Sequence, residues 1–255
     1  MLASNQDVGV SARNHIILNV PGERWLQAQR WEGALWRNAN RPLRNAAKRV
    51  LQQLGLRRRE VGDDWNHWWA EQFGDYRFIP KHIKDAIEFG CGPYTNLRLI
   101  SRARKIDHAY CSDPLLHTYL TFRYTWLSES YRRRRVLVDD HPMEQCPFAS
   151  DFFDLVVLIN VLDHVRDASE CLRQAVRVTK PGGFLIVGQD LTSEEDLSIP
   201  EVRSDIGHPI KLDHEALDLF LHPTFKPVLY RILSRDEGRE PTAHYGTYLF
   251  AGTKG

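Results

Sequence analysis

This sequence is short of methionine, with two residues in 255, and has four cysteines, a net charge of only +1 and no apolar run of membrane-spanning length. Each scarcity excludes something. The balance of 34 Lys and Arg against 33 Asp and Glu leaves no global field to gather a polyanion, so nucleic acid is not a favoured partner. The clusters Arg57-Arg58-Arg59 and Arg132-Arg133-Arg134-Arg135 are read as solvated loop or helix ends. Without a stretch of about 18 apolar residues there is no membrane-crossing helix. The opening Met1 to Asp7 has neither the basic region nor the long apolar run of a signal peptide. Cys91, Cys111, Cys146 and Cys171 form no closely spaced pair, which argues against a Cys-rich zinc module. A reduced, cytoplasmic protein is expected, with no internal repeat and no low-complexity tract.

The chain does contain a strand that opens into glycine. Asp85 to Phe89 is an apolar, β-prone run carrying Glu88, and Gly90-Cys91-Gly92-Pro93 follows it. Glycine at 90 and 92 permits a tight turn and close approach of a ligand to the backbone, although a third glycine of the full dinucleotide fingerprint is missing. About 20 residues on, His108 to Ser112 ends in Asp113-Pro114, where the carboxylate either binds a ribose or caps a helix running from Leu115 to Leu127. Val136 to Asp140 and Phe153 to Asn160 read as two more strands, the second apolar enough to be covered on both faces. Asp167 to Lys180 carries a helical stripe at 168, 171, 172, 175, 176 and 178. Pro181-Gly182-Gly183 stops it before the strand Phe184 to Val187. Such β/α alternation predicts a doubly wound, mostly parallel α/β sheet with its ligands at the carboxyl ends of the strands, where Gly90, Asp113, Asp140, Asn160 and Asp190 would sit.

Taken together, Ile87 to Gly92, Pro142 to Phe148, Phe153 to Val156, Asn160 to Val165 and Arg177 to Gly183 resemble a class I S-adenosylmethionine-dependent methyltransferase of the small-molecule type. The resemblance covers roughly residues 85 to 190 in order. It implies a seven-stranded Rossmann-like sheet and S-adenosylmethionine as cofactor, released as S-adenosylhomocysteine. Glu88 and the loop Gly90-Cys91-Gly92 would hold the methionine end and Asp113-Pro114 the ribose. The Met143 backbone would meet the adenine edge, and the Asn160 carbonyl the cofactor's amino group. Many relatives have Asp where Pro142 stands, so Asp139, Asp140 or His141 would have to replace that adenine contact.

Outside this block, six of the seven tryptophans precede residue 70. Trp25, Ala28, Trp31 and Leu35 follow helical spacing. Leu43, Ala46, Ala47, Val50, Leu51 and Leu54 form a second stripe ending at Gly55, and Asp63-Asp64 would cap a third helix from Trp65 to Phe73. Residues 1–80 are expected to be a helical cap on a methyltransferase domain of residues 81–255. The tryptophans either pack the two together or close over the site. After the fifth strand, the polar stretch from Thr192 to His214 reads as a substrate loop, Asp213 to Leu221 as a helix, and Val228 to Leu233 with Tyr245 to Ala251 as an antiparallel hairpin closing one sheet edge.

Methyl transfer to a hydroxyl requires removal of its proton, and His164 is the leading base, assisted by Asp163. His164 is also readable as a packing residue that hydrogen-bonds backbone or cofactor. His208, His244 and His141 compete for the role. No metal site is expected, since Asp163, Asp190 and Asp205 match no recognised ligand spacing. The expected reaction is O-methylation of a small hydroxyl-bearing acceptor, a sugar, polysaccharide precursor or other natural product. The alternatives are N- or C-methylation, an RNA methyltransferase, and a non-catalytic cofactor-binding partner protein.

Overall fold

The computed structural model describes residues 16–56, 65–239, 241–242 and 246–255. The Arg57-Arg58-Arg59 cluster, the Asp63-Asp64 cap and His244 lie outside them. Seven strands form one sheet: β1 (His82–Phe89), β2 (Lys105–Ser112), β3 (Leu137–Asp139), β4 (Phe153–Ile159), β5 (Thr179–Leu191), β6 (Phe225–Leu233) and β7 (Gly246–Lys254), in the order β3-β2-β1-β4-β5-β7-β6. The first five run parallel, and β7 inserts antiparallel between β5 and β6.

The parallel register is what makes a site. Phe89 pairs with Ser112 and Leu158, Ser112 with Asp139, and Ile159 with Gly188, so the strands end together. Gly90, Asp113, Asp140, Asn160 and Asp190 therefore meet along one edge, as the strand pattern predicted. Hydrophobic cores lie on both faces of the sheet. One gathers Trp69, Phe73, Ile83, Leu97, Leu116 and Val157, and the other Phe89, Val156, Leu158, Leu172, Val187 and Phe250.

The helices follow from sequence where pattern and cap agree. The helices α1 (Gly22–Ala39), α2 (Pro42–Gln53) and α3 (Trp65–Gln72) precede the sheet, and α4 (Leu97–Ala103) follows β1. Between β2 and β3 stand α5 (Leu116–Leu120) and α6 (Trp126–Arg132). Then come α7 (Ala168–Val178), α8 (Glu194–Ser198), α9 (Pro200–Arg203) and α10 (His214–Leu221). In α7, Ala168, Cys171, Leu172, Ala175 and Val178 are buried, and Asp167 Oδ1 accepts from the Glu170 N–H at 2.9 Å. Loss of such a cap costs about 1 kcal/mol.

Two expectations fail, and the facing of a third pattern is one that its spacing does not determine. The single helix from 115 to 127 is two, because Tyr124 adopts φ 66°, a left-handed conformation that ends one turn before Thr125 caps the next. The stop at Pro181-Gly182-Gly183 is inside a strand: β5 begins at Thr179, and Gly182 at φ 74° absorbs the irregularity in its pairing with β4. Most informative is α2, whose apolar stripe faces solvent, Leu43 being 86% exposed and Leu54 65%. Its polar face docks instead: buried Asn45 Nδ2 donates to Asn40 Oδ1 and to the Arg123 carbonyl, and Arg49 pairs with Glu129 at 2.5 Å. Directional bonds to α1 and the α5–α6 segment set its rotation.

Candidate active site

The loop after β1 is shaped by three residues in the left-handed region: Gly90 at φ 63°, Gly92 at 53° and, facing them after β4, Asn160 at 51°. A Cβ on Gly90 would stand 2.7 Å from Val161 Cβ and closer still to its Cγ2, so glycine is needed for the β1 and β4 loops to touch. A Cβ on Gly92 would meet nothing within 4 Å, because that face opens into a cavity.

Asp113 fastens this loop. Its Oδ2 accepts from the Gly92 N–H at 3.0 Å and its Oδ1 from the Leu115 N–H at 2.8 Å. Burial, reinforced by the charge of Glu32, raises its carboxyl to about 7. Glu88 is fully buried and accepts from the Thr95 hydroxyl, from Asn96 Nδ2 at 2.8 Å and from the Leu97 N–H at 3.1 Å. Burial lifts its pKa, and its bonds organise the turn into α4.

Two connected cavities share Glu32, Gly90, Asn160 and His164. The larger, of about 500 Å³, runs past Glu88, Gly90, Cys91 and Gly92 to Trp31, Trp65, Trp69 and His208. The smaller, of about 50 Å³, is lined by Asp113, Pro114, His141 and Met143 and roofed by Trp25 and Gln29 of α1. The first helix thus lies directly over the strand ends. Arg24 donates to the carbonyls of Asp205 (2.5 Å) and Ile206 (2.7 Å), and Gln29 Nε2 to the His164 carbonyl at 3.3 Å. A Cβ on Gly207 would be 2.7 Å from Trp31 Cε3, so this ring fits only over glycine.

Where the larger cavity meets a third, of about 370 Å³, the rings of His164 and His208 stand 4.5 Å apart. His208 Nδ1 shares a hydrogen bond with Asp205 Oδ2 at 2.6 Å. Burial opposes the charged imidazole, but this bond and the nearby Asp163 outweigh it and raise the His208 pKa, while Asp205 is held far below the usual carboxylate range. His164 Nδ1 lies 3.5 Å from Glu32 and Nε2 3.8 Å from Asp163. Asp163, His164 and His208 each offer a ligand atom within 4.8 Å of the others, a spacing for a metal ion that the linear sequence did not reveal.

Most sequence-predicted residues come together here: Glu88, Gly90, Cys91, Gly92, Asp113, Pro114, Met143 and Asn160 line the first two cavities, and Asp163, His164 and His208 cluster where the larger of these meets the third. Asp140 does not line them. It is half exposed and pairs with His117 at 2.7 Å, while His141, held by Asp139, reaches the small cavity. Sequence reading missed Glu32, Gln29 and Arg239. Glu32 and Gln29 share a helical face with Trp25 and Trp36, and only the docking of α1 brings them to the strand ends.

Residues 87–187 match a family described as a methyltransferase domain. No curated protein matches the sequence significantly. Among solved structures, the N-methyltransferase NodS from Bradyrhizobium japonicum WM9 is 17% identical with a TM-score of 0.55, over 76% of this chain and 99% of that one. Its complex with S-adenosyl-L-homocysteine aligns at 15% identity and TM-score 0.55, over 81% and 97%. The [4+2]-cyclase SpnF aligns at 15% identity and TM-score 0.57, over 77% and 83%. The cleft fits such a cofactor on its own geometry: Gly92 leaves a cradle that a side chain would fill, the buried Asn160 Oδ1 has no partner among the described residues, and Glu32, Glu88 and Asp113 offer acids to a cation. Residues 87–187 thus match a methyltransferase domain, and the seven-stranded sheet around them has the fold of methyltransferases of known structure.

Proposed function

We propose that the chain methylates a hydroxyl oxygen of a small polar acceptor such as a sugar or polysaccharide precursor, with residues 1–80 acting as the cap of a methyltransferase domain spanning residues 81–255. The observation that carries this reading is the pair of imidazoles 4.5 Å apart between two cavities, one of them oriented by Asp205. Bound S-adenosylmethionine supplies a methyl group on a cationic sulfur, open to in-line displacement. The chain must align the attacking oxygen, take its proton and keep water out.

His208 is placed to take that proton, because Asp205 fixes its ring and stabilises the imidazolium that forms. Asp163 and His164 flank it. Glu88, Gly90, Cys91, Gly92, Asp113, Pro114, Met143 and Asn160 form the cofactor wall, with Asp113 toward the ribose. Trp31 and Trp36 border the larger cavity from α1, and Trp65 and Trp69 line it from α3. N- or C-methylation is the runner-up, since a neutral amine attacks before it loses a proton and needs no imidazole.

A second reading rests on the 4.8 Å cluster of Asp163, His164 and His208: a divalent cation there would polarise the hydroxyl instead. The deciding experiment is turnover of His208→Ala and His164→Ala on an acceptor panel beside titration with S-adenosylhomocysteine. A general base is worth about 100-fold to 10,000-fold in rate with cofactor affinity retained. Turnover within a few-fold of wild type in both variants removes the base, and activity abolished by chelator and restored by metal selects the second reading.

A further inference from the structure

The segment between β6 and β7 brings Arg239 into the wall of the larger cavity, beside Trp65, Trp69 and His208. Only 7% of its side chain is exposed. Nη2 donates to Asp190 Oδ2 at 2.5 Å, and fully buried Asp190 also accepts from the Thr247 hydroxyl at 3.1 Å. The guanidinium lies over the Trp65 ring, 4.3 Å from its centroid, with Trp69 at 6.0 Å. One carboxylate and two indoles therefore fix the group in place.

What they leave over is informative. Nε and Nη1 are buried and meet no acceptor among the described residues. Guanidinium nitrogens are donors only, and buried donors without acceptors are costly, so a cavity-lining arginine in this state is complete only when a ligand supplies the oxygen. A hydroxyl would bring a donor of its own that needs a further partner. A carboxylate brings acceptors alone. Asp190 engages Nη2 alone, so Nε and Nη1 are left for a second carboxylate.

We propose that Arg239 holds the methyl acceptor by a carboxylate, making the acceptor an acidic sugar or a similar hydroxy acid. This rests on reading the cavity as the acceptor site. Trp65 stacks on the arginine and bounds the same pocket.

The test uses the full chain loaded with S-adenosylhomocysteine, with D-glucuronate and D-glucose as probes in saturation-transfer NMR titrations. Glucuronate should bind at least about ten-fold more tightly than glucose, as a charge-assisted hydrogen bond implies. Arg239→Lys keeps a positive charge opposite Asp190 but loses the planar donor set, and should lower glucuronate affinity about ten-fold while S-adenosylhomocysteine binds as in wild type. Should lysine substitute too well, Arg239→Gln combined with Asp190→Asn removes both charges and should give the same loss. Equal binding of the two sugars, or unchanged glucuronate affinity in both variants, overturns the proposal. It is also overturned if Arg239→Lys weakens S-adenosylhomocysteine but not 5′-methylthioadenosine, because the arginine then serves the cofactor's carboxylate. Failure of the wild-type chain to bind either nucleoside would instead overturn the cofactor site itself.

Discussion

Gly90 and Gly92 have the same backbone handedness and different surroundings, so alanine at each should break a different property. At Gly90, left-handed φ costs a non-glycine residue about 1–2 kcal/mol. The new Cβ, 2.7 Å from Val161 Cβ, adds about 1–3 kcal/mol of overpacking in a tight core. Gly90→Ala should therefore lose about 2–5 kcal/mol of unfolding free energy. At Gly92 the backbone cost of about 1–2 kcal/mol stands alone, since nothing lies within 4 Å of the added atom. That atom occupies the cavity instead, and Gly92→Ala should weaken S-adenosylhomocysteine by roughly ten-fold or more, the equivalent of about 1.4 kcal/mol. Urea unfolding and calorimetric titration on the same preparations separate the two. The reasoning is refuted if Gly92→Ala is the less stable protein, or if it is folded and binds the ligand as wild type does.

Asp113→Ala should weaken S-adenosylmethionine and S-adenosylhomocysteine equally if the carboxylate serves the ribose they share, and a loss confined to one of them in parallel calorimetric titrations contradicts that role. Glu32→Gln should weaken the cationic S-adenosylmethionine by an order of ten-fold and S-adenosylhomocysteine less, because a nearby carboxylate attracts the sulfonium; equal losses would place Glu32 away from the sulfur. The ligand-free protein should lose stability as pH rises. Asp113, with its ordinary pKa of 3.8 raised to about 7, and His208, with 6.5 raised, both bind protons more tightly folded than unfolded. Each contribution is complete below the ordinary pKa and lost through the raised one, so thermal melts from pH 5 to pH 8 should fall, and a rising series sinks the assignment. If His208 is the base, turnover runs the opposite way, climbing with pH through a midpoint above 6.5, and a flat profile favours a nitrogen acceptor.

The solvent-facing stripe of α2 shows where a correct local reading goes astray. Leu43, Val50, Leu51 and Leu54 do share one helical face, as their spacing requires, and the helix forms where the pattern puts it. Its rotation about its own axis is a separate matter, decided by Asn45 and Arg49 reaching partners 78 and 80 residues away. No periodicity encodes that choice.

What the sequence determined by itself is what depends on neighbours in the chain. The apolar runs of β1 and β4, the glycines that turn out of β1, the Asp167 cap and the buried stripe of α7 each act within a few residues, and together they specify a parallel sheet whose strands end at Gly90, Asp113 and Asn160. Tertiary structure decided what those residues do. Asp113 clamps the glycine loop because β1 and β2 end in register, and Asp140 turns to His117 instead of the cleft. Glu32 and Arg239 reach the cavity at the strand ends only because α1 and the β6–β7 segment fold over it. His164 and His208, 44 positions apart, become a pair only when the loop after β5 is pinned beneath Arg24 and Trp31. Chemistry between side chains distant in sequence requires their meeting in space, and local propensity carries no record of that meeting.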